Sequence, residues 1–548
     1  MSGGNTKSNA LTRKDFLRYM ALIAGATITA TEFTACESKK DRYGHIKGSM
    51  QGASAKLGHQ LRDSTFPEPT IIDHVEAVII GGGVAGLSAA RIFQQHGFTN
   101  FQLLELEQHV GGNSSYGQND YSAYPLGAHY LPIPNPNNKA LLELLAEAGI
   151  ITGYDASGIP IYNETDLCYD PEERLFINNR WQEGLVPNFG VSKPELADIT
   201  RFLAAMDTFR WAKGTDQRYA FDIPLLESSS DEQFTRLDKI TMAQYLADEK
   251  YTSKALRWYV DYCCRDDYGA GINEVSAWAG IHYFASRKGK AANAESSHVL
   301  TWPEGNGYLV KHLKQYSAQQ ANTQCLAYKI TPHEHEVWVD YYDVNTHTNK
   351  RIVAKAAIMA MPQFIAKRLL PAAQYDHAFV YSPWLVANVT LSEVPMGSGY
   401  PLCWDNVAFE GKSLGYVNAQ QQTVRVTMPE KQVITYYLPL DQLSPVASRK
   451  YAINLPHAQW VKLIVDDLET MHPNIHANIE NIDTWVWGHG MVRPHPGFIS
   501  GEAVKAARQP VHERIFFAHS DLSGISIFEE AFYHGNNAAR ALLAKLGK

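Results

Sequence analysis

Residues 77–90 read AVIIGGGVAGLSAA, an apolar run that breaks into glycines and then into small, helix-forming residues. Val78, Ile79 and Ile80 have the pattern of a short buried strand, and the stretch from Leu87 to His96 has that of a helix. Between them Gly81, Gly83 and Gly86 stand at GxGxxG spacing. Each glycine has its own physical task in such a turn: the first lets the chain bend tightly off the strand, the second lets backbone N–H groups approach a phosphate, and the third lets helix and sheet pack closely. Val84 and Ala85 fall where the helix begins, at the end that offers unpaired N–H groups and the positive pole of the dipole. The spacing predicts a phosphate-binding βα turn.

The next segment extends the unit. Phe101 to Leu104 read as a second apolar strand ending in Glu105, which lies 24 residues after Gly81. That is close to the separation of the acid that accepts hydrogen bonds from a ribose in a dinucleotide-binding βαβ unit. The expected fold class is α/β.

After Glu105 come LEQHVGGNSS and, near the other end, RIFFAHSDLSGISIFEEAFYHGNNAARALL from Arg514 to Leu543. With Gly111 and Gly112 as its Gly-Gly pair and Asp521 as its late acid, the chain resembles the flavin amine oxidase superfamily. WPEGNGYLVKHL (Trp302 to Leu313) is similar to the glycine turn and helix before that family's third nucleotide strand, and IVAKAAIMAMP (Ile352 to Pro362) to the strand that leads out of the domain. The resemblance implies a Rossmann-type FAD-binding domain made of 71–130, 296–362 and 500–548, interleaved with a substrate domain of mixed sheet and helices made of 131–295 and 363–499. It implies FAD held by Gly81, Gly83, Val84, Ala85, Gly86, Glu105, Gly111, Gly112, Asn113, Gly127, Ala128, Asp521 and Ile527. The attachment is expected to be noncovalent, because Ser520 to Ser526 contain no cysteine where the cysteine-linked members carry one.

The resemblance further implies hydride transfer from a small organic substrate to the flavin, at the C–N bond of an amine or polyamine, with an electron acceptor that the sequence does not identify. A C–C desaturase or oxidase related to carotenoid desaturases and protoporphyrinogen oxidases, and a non-catalytic flavin-binding protein, stay open beside it. The chain departs from the family in four places. Asn113 replaces an arginine, His519 a glycine, Ile527 the tyrosine of an aromatic cage, and Ala387 or Asn388 the lysine near the flavin N5.

Pocket candidates are His129 in YPLGAHYLP, Trp302, and His489 and Arg493 in WGHGMVRPHPG. CRDDYG gathers Arg265, Asp266 and Asp267 at a helix end, either as an ion-pair cluster or as a seat for a cation. Trp278 and His282 fall on one helix face, as core or as pocket wall. Helical spacing marks 138–150, 195–212, 242–264, 275–287 and 457–471, and strand patterns mark 423–427 and 432–438. No metal site is expected: His333 and His335 would share one face of a solvated strand, and Cys168, Cys263, Cys264, Cys325 and Cys403 lack ligand spacing.

The chain has 548 residues, 45% hydrophobic content and a formal net charge of −8, enough for a large core and the wrong sign for a phosphate backbone. A nucleic-acid partner is therefore not expected. LTRKDFLRYMALIAGATITATEFTAC at the N-terminus reads as an export signal, with Arg13-Lys14 resembling a twin-arginine pair and Cys36 a lipoprotein cysteine. Residues 1–36 are the expected signal and 37–70 a polar linker. The expected location is periplasmic in a bacterium, free or tethered to the membrane through Cys36. A route that carries folded cargo would let the flavin travel inside the protein.

Overall fold

The computed structural model describes residues 42–370, 378–423, 427 and 429–548. The expected signal, Cys36 included, lies outside the described residues, as does most of the strand expected at 423–427.

The strand before the glycines is Ile71–Ile80, and only its last four residues are wholly buried, which is why the apolar pattern marks just its end. It lies inside a sheet ordered Ala321–Asn322, Phe101–Leu104, Ile71–Ile80, Thr348–Met359, Val337–Asp343, Cys325–Pro332. The first four run parallel, Ile515–Phe517 adds a parallel partner at the end of Thr348–Met359, and the last two are antiparallel. Parallel order puts the carboxyl ends of several strands on one edge, the place where α/β sheets bind ligands. Val84–Gln95 is buried from Val84 to Phe93, because the sheet covers one side and the last helix, Phe528–Leu546, the other. The two helices touch through backbone: a Cβ on Gly535 would stand 2.2 Å from the Ala85 carbonyl oxygen.

The second sheet has eight strands, ordered Met50–Gly52, Ile479–Val492, Tyr381–Leu391, Gln432–Pro439, Tyr416–Asn418, Asp405–Ala408, Glu173–Ile177, Arg180–Glu183. All of Tyr381–Leu391 is buried. One of its faces packs with helices Lys254–Tyr268 and Ala277–Ala285, the other with Pro445–Asn454 and His457–Met471, so the strand reads as continuously apolar instead of alternating. Tyr130–Pro132 pairs with Val299–Thr301 and thereby closes the long insertion 133–298 at its base.

Two expectations need correction. The polar stretch 37–70 is not a free linker from residue 42 onward: Met50–Gly52 pairs in parallel with Thr484–Val486, and short helices follow at Ala55–Gly58 and Gln60–Asp63. Its polarity reflects an edge strand and exposed helical turns. The helix expected over 242–264 is two, Met242–Asp248 and Lys254–Tyr268, since Lys250 turns left-handed at φ 59° and the Ser253 hydroxyl caps a new start by accepting from the Leu256 N–H at 3.1 Å. His457–Met471 forms over the residues expected.

Candidate cofactor and substrate site

The three loop glycines are needed for different reasons. At Gly81 φ is 110°, and a Cβ there would lie 2.2 Å from the Ala360 carbonyl oxygen; at Gly86 it would lie 1.9 Å from the Gly81 carbonyl oxygen. Both are demanded by the protein itself. Gly83 differs: a Cβ would meet nothing nearer than the Gly112 Cα at 3.8 Å. The space above Gly83, at the N-cap of Val84–Gln95, is left for something other than this chain.

Gly111 and Gly112 come beside the loop, the Gly111 N–H donating to the Gly82 carbonyl at 2.9 Å. Glu105 is buried, its carboxylate accepting from the Gly82 N–H at 2.6 Å and the Glu107 N–H at 2.8 Å. Burial nevertheless pushes its carboxyl up to about 7. Asp521, just after the last parallel strand, accepts from the Gln363 N–H at 2.8 Å and from the Tyr381 hydroxyl, and lies 3.0 Å from His519 Nδ1. Despite full burial, its carboxyl is held below the usual range by His519 and these donors.

Several polar atoms in this region are buried with no partner among the described residues: Oε1 and Nε2 of Gln363, Oδ1 of Asn306, and Oδ1 and Nδ2 of Asn536. Leaving one such group unpaired costs about 1–3 kcal/mol. Together with the open space above Gly83 and the carboxylate at Glu105, they fit a long ligand that carries phosphates and hydroxyls. Gln363 and Asn536 had no sequence signal that separated them from ordinary helix residues.

Asn113, next to Gly112, lies on the wall of a cavity with an empty volume of about 980 Å³, its open mouth included. The walls also carry Gly127, Ala128, Asn306 and Ile527, the polar group Tyr130, Asp266, Asp267, Arg287 and Glu529, and the rings of Trp384, Tyr437 and Trp487. Gly127 is needed where it packs, since a Cβ would be 2.3 Å from the Asn113 carbonyl oxygen. Asn113 sends its side-chain amide to the Gly490 carbonyl, tying the nucleotide segment to strand Ile479–Val492.

Three acids, Asp266, Asp267 and Glu529, line the cavity. Asp266 and Asp267 close helix Lys254–Tyr268, while Glu173 and Asp405 sit side by side in paired strands and add to the field at Asp266. Arg287 is the one cation among the lining residues. Its guanidinium donates to the Tyr130 hydroxyl at 3.2 Å and lies 3.4 Å from Asp267 Oδ1, over the Tyr283 ring. Burial, then the Asp267 charge, push Asp266 up to about 7, and Glu529 reaches about 7 chiefly by burial.

These shifts give stability a definite pH trend. Glu105, Asp266, Glu529 and Glu530 each stand at about 7 in the fold, so above their ordinary range the folded form binds more protons than the unfolded chain. His129, pushed down to about 4, and His282, down to about 3, act oppositely, but only below about 6.5, where unfolded histidine protonates. Above that the carboxyls dominate, and stability is lost as they ionise, until Lys288, which burial pushes down to about 8, begins to act the other way. The melting temperature of cofactor-free protein is expected to fall from about pH 6.5 to about pH 7.5. A rise over that interval, read by thermal melts in matched buffers, would show these acids ionised with stabilising partners.

Of the four pocket candidates only His129 reaches the cavity, its ring 4.5 Å from that of Tyr437 and 5.6 Å from that of Trp404. Trp302 does not line it: the ring stacks on Tyr308 and its N–H donates to Asp166 at 2.8 Å. His489 stacks on Phe364 with ring centres 4.1 Å apart, outside the lining. Arg493 is buried and paired with Glu274 at 2.7 Å, and it does not line the cavity. The CRDDYG cluster divides: Arg265 turns away to Asp441 at 2.7 Å, and the two aspartates face the cavity. His282 also reaches the wall, while Trp278 is core packed beside it at 5.1 Å. The described cysteines are free and buried.

Residues 79–148 match the family described as NAD(P)-binding Rossmann-like domain. The chain is 22% identical to the oxidoreductase PigB of Serratia over 88% of its length and 77% of that protein, and 35% identical to the flavin-containing amine oxidase of Oncorhynchus mykiss over 14% of each. Its fold resembles that of a putrescine oxidase triple mutant, with a TM-score of 0.64 and 14% identity, covering 86% of this chain and all of the other. In its interleaved sheets the chain shares the fold of that putrescine oxidase, and its glycine loop lies within the Rossmann-like match.

Proposed function

We propose that the protein is an FAD-dependent oxidoreductase that takes a hydride from the carbon beside the nitrogen of a cationic amine. One observation carries the substrate class: the cavity that Asn113 and Gly127 line also has Asp266, Asp267 and Glu529 in its walls, with Arg287 as their single cation. Bound at the glycine loop, FAD supplies the two-electron acceptor.

The chain's own part is binding, exclusion of water and handling of a proton. Trp384, Tyr437 and Trp487 give the cavity an apolar side, so an ammonium entering it loses water and gains carboxylates. Arg287 holds Asp267 through its 3.4 Å contact, leaving Asp266, bonded only loosely by the Tyr130 hydroxyl at 3.4 Å, facing the substrate. An amine gives up hydride only once it is neutral, and a carboxyl near 7 is suited to take the ammonium proton at Asp266 Oδ1 or Oδ2. His129, kept uncharged by burial, adds no competing positive charge.

The test is anaerobic mixing of the loaded protein with monoamines, diamines and polyamines, followed by the absorbance of oxidised flavin. Bleaching by amines is expected. Bleaching only by polyenes or porphyrinogens would move the reaction to a C–C bond, and no bleaching with any class would make this a flavin-binding protein without turnover. Residues 1–36 support a further proposal, export with FAD aboard and a periplasmic location with a tether at Cys36; cell fractionation reads it directly, and a purely cytosolic protein ends it.

A further inference from the structure

The segment 47–66 bridges the two halves of the molecule beside the nucleotide loop. At one end Lys47 bridges to Asn481 and Met50–Gly52 adds a parallel strand to the free edge of Ile479–Val492, with Gly48 so close that a Cβ would stand 1.9 Å from the Ile482 carbonyl oxygen. At the other end Ser54 is bound twice by Glu107, its N–H donating at 2.8 Å and its hydroxyl at 2.7 Å to the two carboxylate oxygens. Leu61 packs on the core under the nucleotide sheet, and Phe66 stacks on Tyr328 at 4.1 Å. Between these anchors, a Cβ on Gly58 would lie 3.7 Å from Leu106.

The place of the second anchor matters. Glu107 is two residues past Glu105 and donates its own N–H to the Glu105 carboxylate, so the bridge is fastened to the turn that carries the ribose acid. The bridge therefore stands beside the turn that follows Glu105. We propose that residues 47–66 are a strap over the adenosine end of the cofactor site, which must loosen at Ser54 for FAD to leave. This rests on the FAD reading of the glycine loop. A strap that slows release suits a chain that binds its cofactor once.

The full-length, FAD-loaded protein provides the test. Ser54→Ala removes one of two charge-assisted bonds at the anchor, and first-order FAD release, followed by flavin fluorescence after dilution into a flavin scavenger, is expected to speed up about tenfold. Turnover at saturating FAD should be unchanged, because Ser54 touches no part of the cavity lining. In the parent, bound FAD should slow tryptic cleavage at the exposed Lys56 and Arg62, an effect that needs no variant to fold. Release within twofold of the parent, or cleavage indifferent to FAD, would overturn the strap while leaving the FAD reading intact. A parent that neither carries nor takes up flavin would overturn both.

Discussion

Gly83→Val is expected to purify as a folded, colourless protein. The backbone at Gly83 has φ −72° and ψ −177°, an extended conformation that a β-branched residue adopts readily, and the only atom near an added Cβ is 3.8 Å away. The valine therefore costs the fold little and fills the path a pyrophosphate takes to the helix N-terminus. FAD affinity should fall about 100-fold or more, while the melting temperature without FAD stays near that of the cofactor-free parent. Gly86→Val provides the contrast: its Cβ would stand 1.9 Å from the Gly81 carbonyl oxygen, so it should lose the fold as well as the flavin. Flavin content and melts with and without added FAD separate the two. A yellow, FAD-stabilised Gly83→Val would remove the cofactor from this loop.

Asp266→Asn should have the largest effect on turnover with the cofactor in place. It removes one carboxylate from a buried cluster where an ammonium would otherwise be paired, and breaking such a pair costs about 3–5 kcal/mol, or about 150- to 5,000-fold in kcat/KM for a cationic amine. Stability should change the other way. Asp266 is strained by its neighbour Asp267 and pushed up to about 7, so neutralising it relieves repulsion and the variant should melt no lower than the parent at about pH 8. Flavin content should be unaffected. A kcat/KM within threefold of the parent would place cation recognition elsewhere; a fall in both kcat/KM and melting temperature would make Asp266 a structural residue.

Much of the nucleotide half was legible in the chain order. Glycine spacing, strand pattern and the acid at Glu105 are local features, each fixed by residues within about 30 positions of one another, and a βαβ unit needs nothing more distant to be recognised. The edge strand Met50–Gly52 was not legible, because a strand with one free side and no apolar alternation reads like a linker until its partner is known.

The substrate end depended on distant residues throughout. CRDDYG has the look of a helix-ending ion cluster, and whether its acids face one another's counter-charges or an open cavity is decided by Asp441, which draws off Arg265, and by the placing of Tyr130 and Arg287. Trp302, His489 and Arg493 were reasonable as pocket residues on residue type alone, yet Asp166, Phe364 and Glu274 claim them. By itself the sequence determined the α/β class, the strand–glycine–helix turn and the acid that follows it, because those rest on backbone sterics and spacing along one short stretch. Only the tertiary structure decided which polar side chains face the cavity and which are spent on partners inside the protein, because that choice is made by residues tens to hundreds of positions apart that meet only in the folded chain.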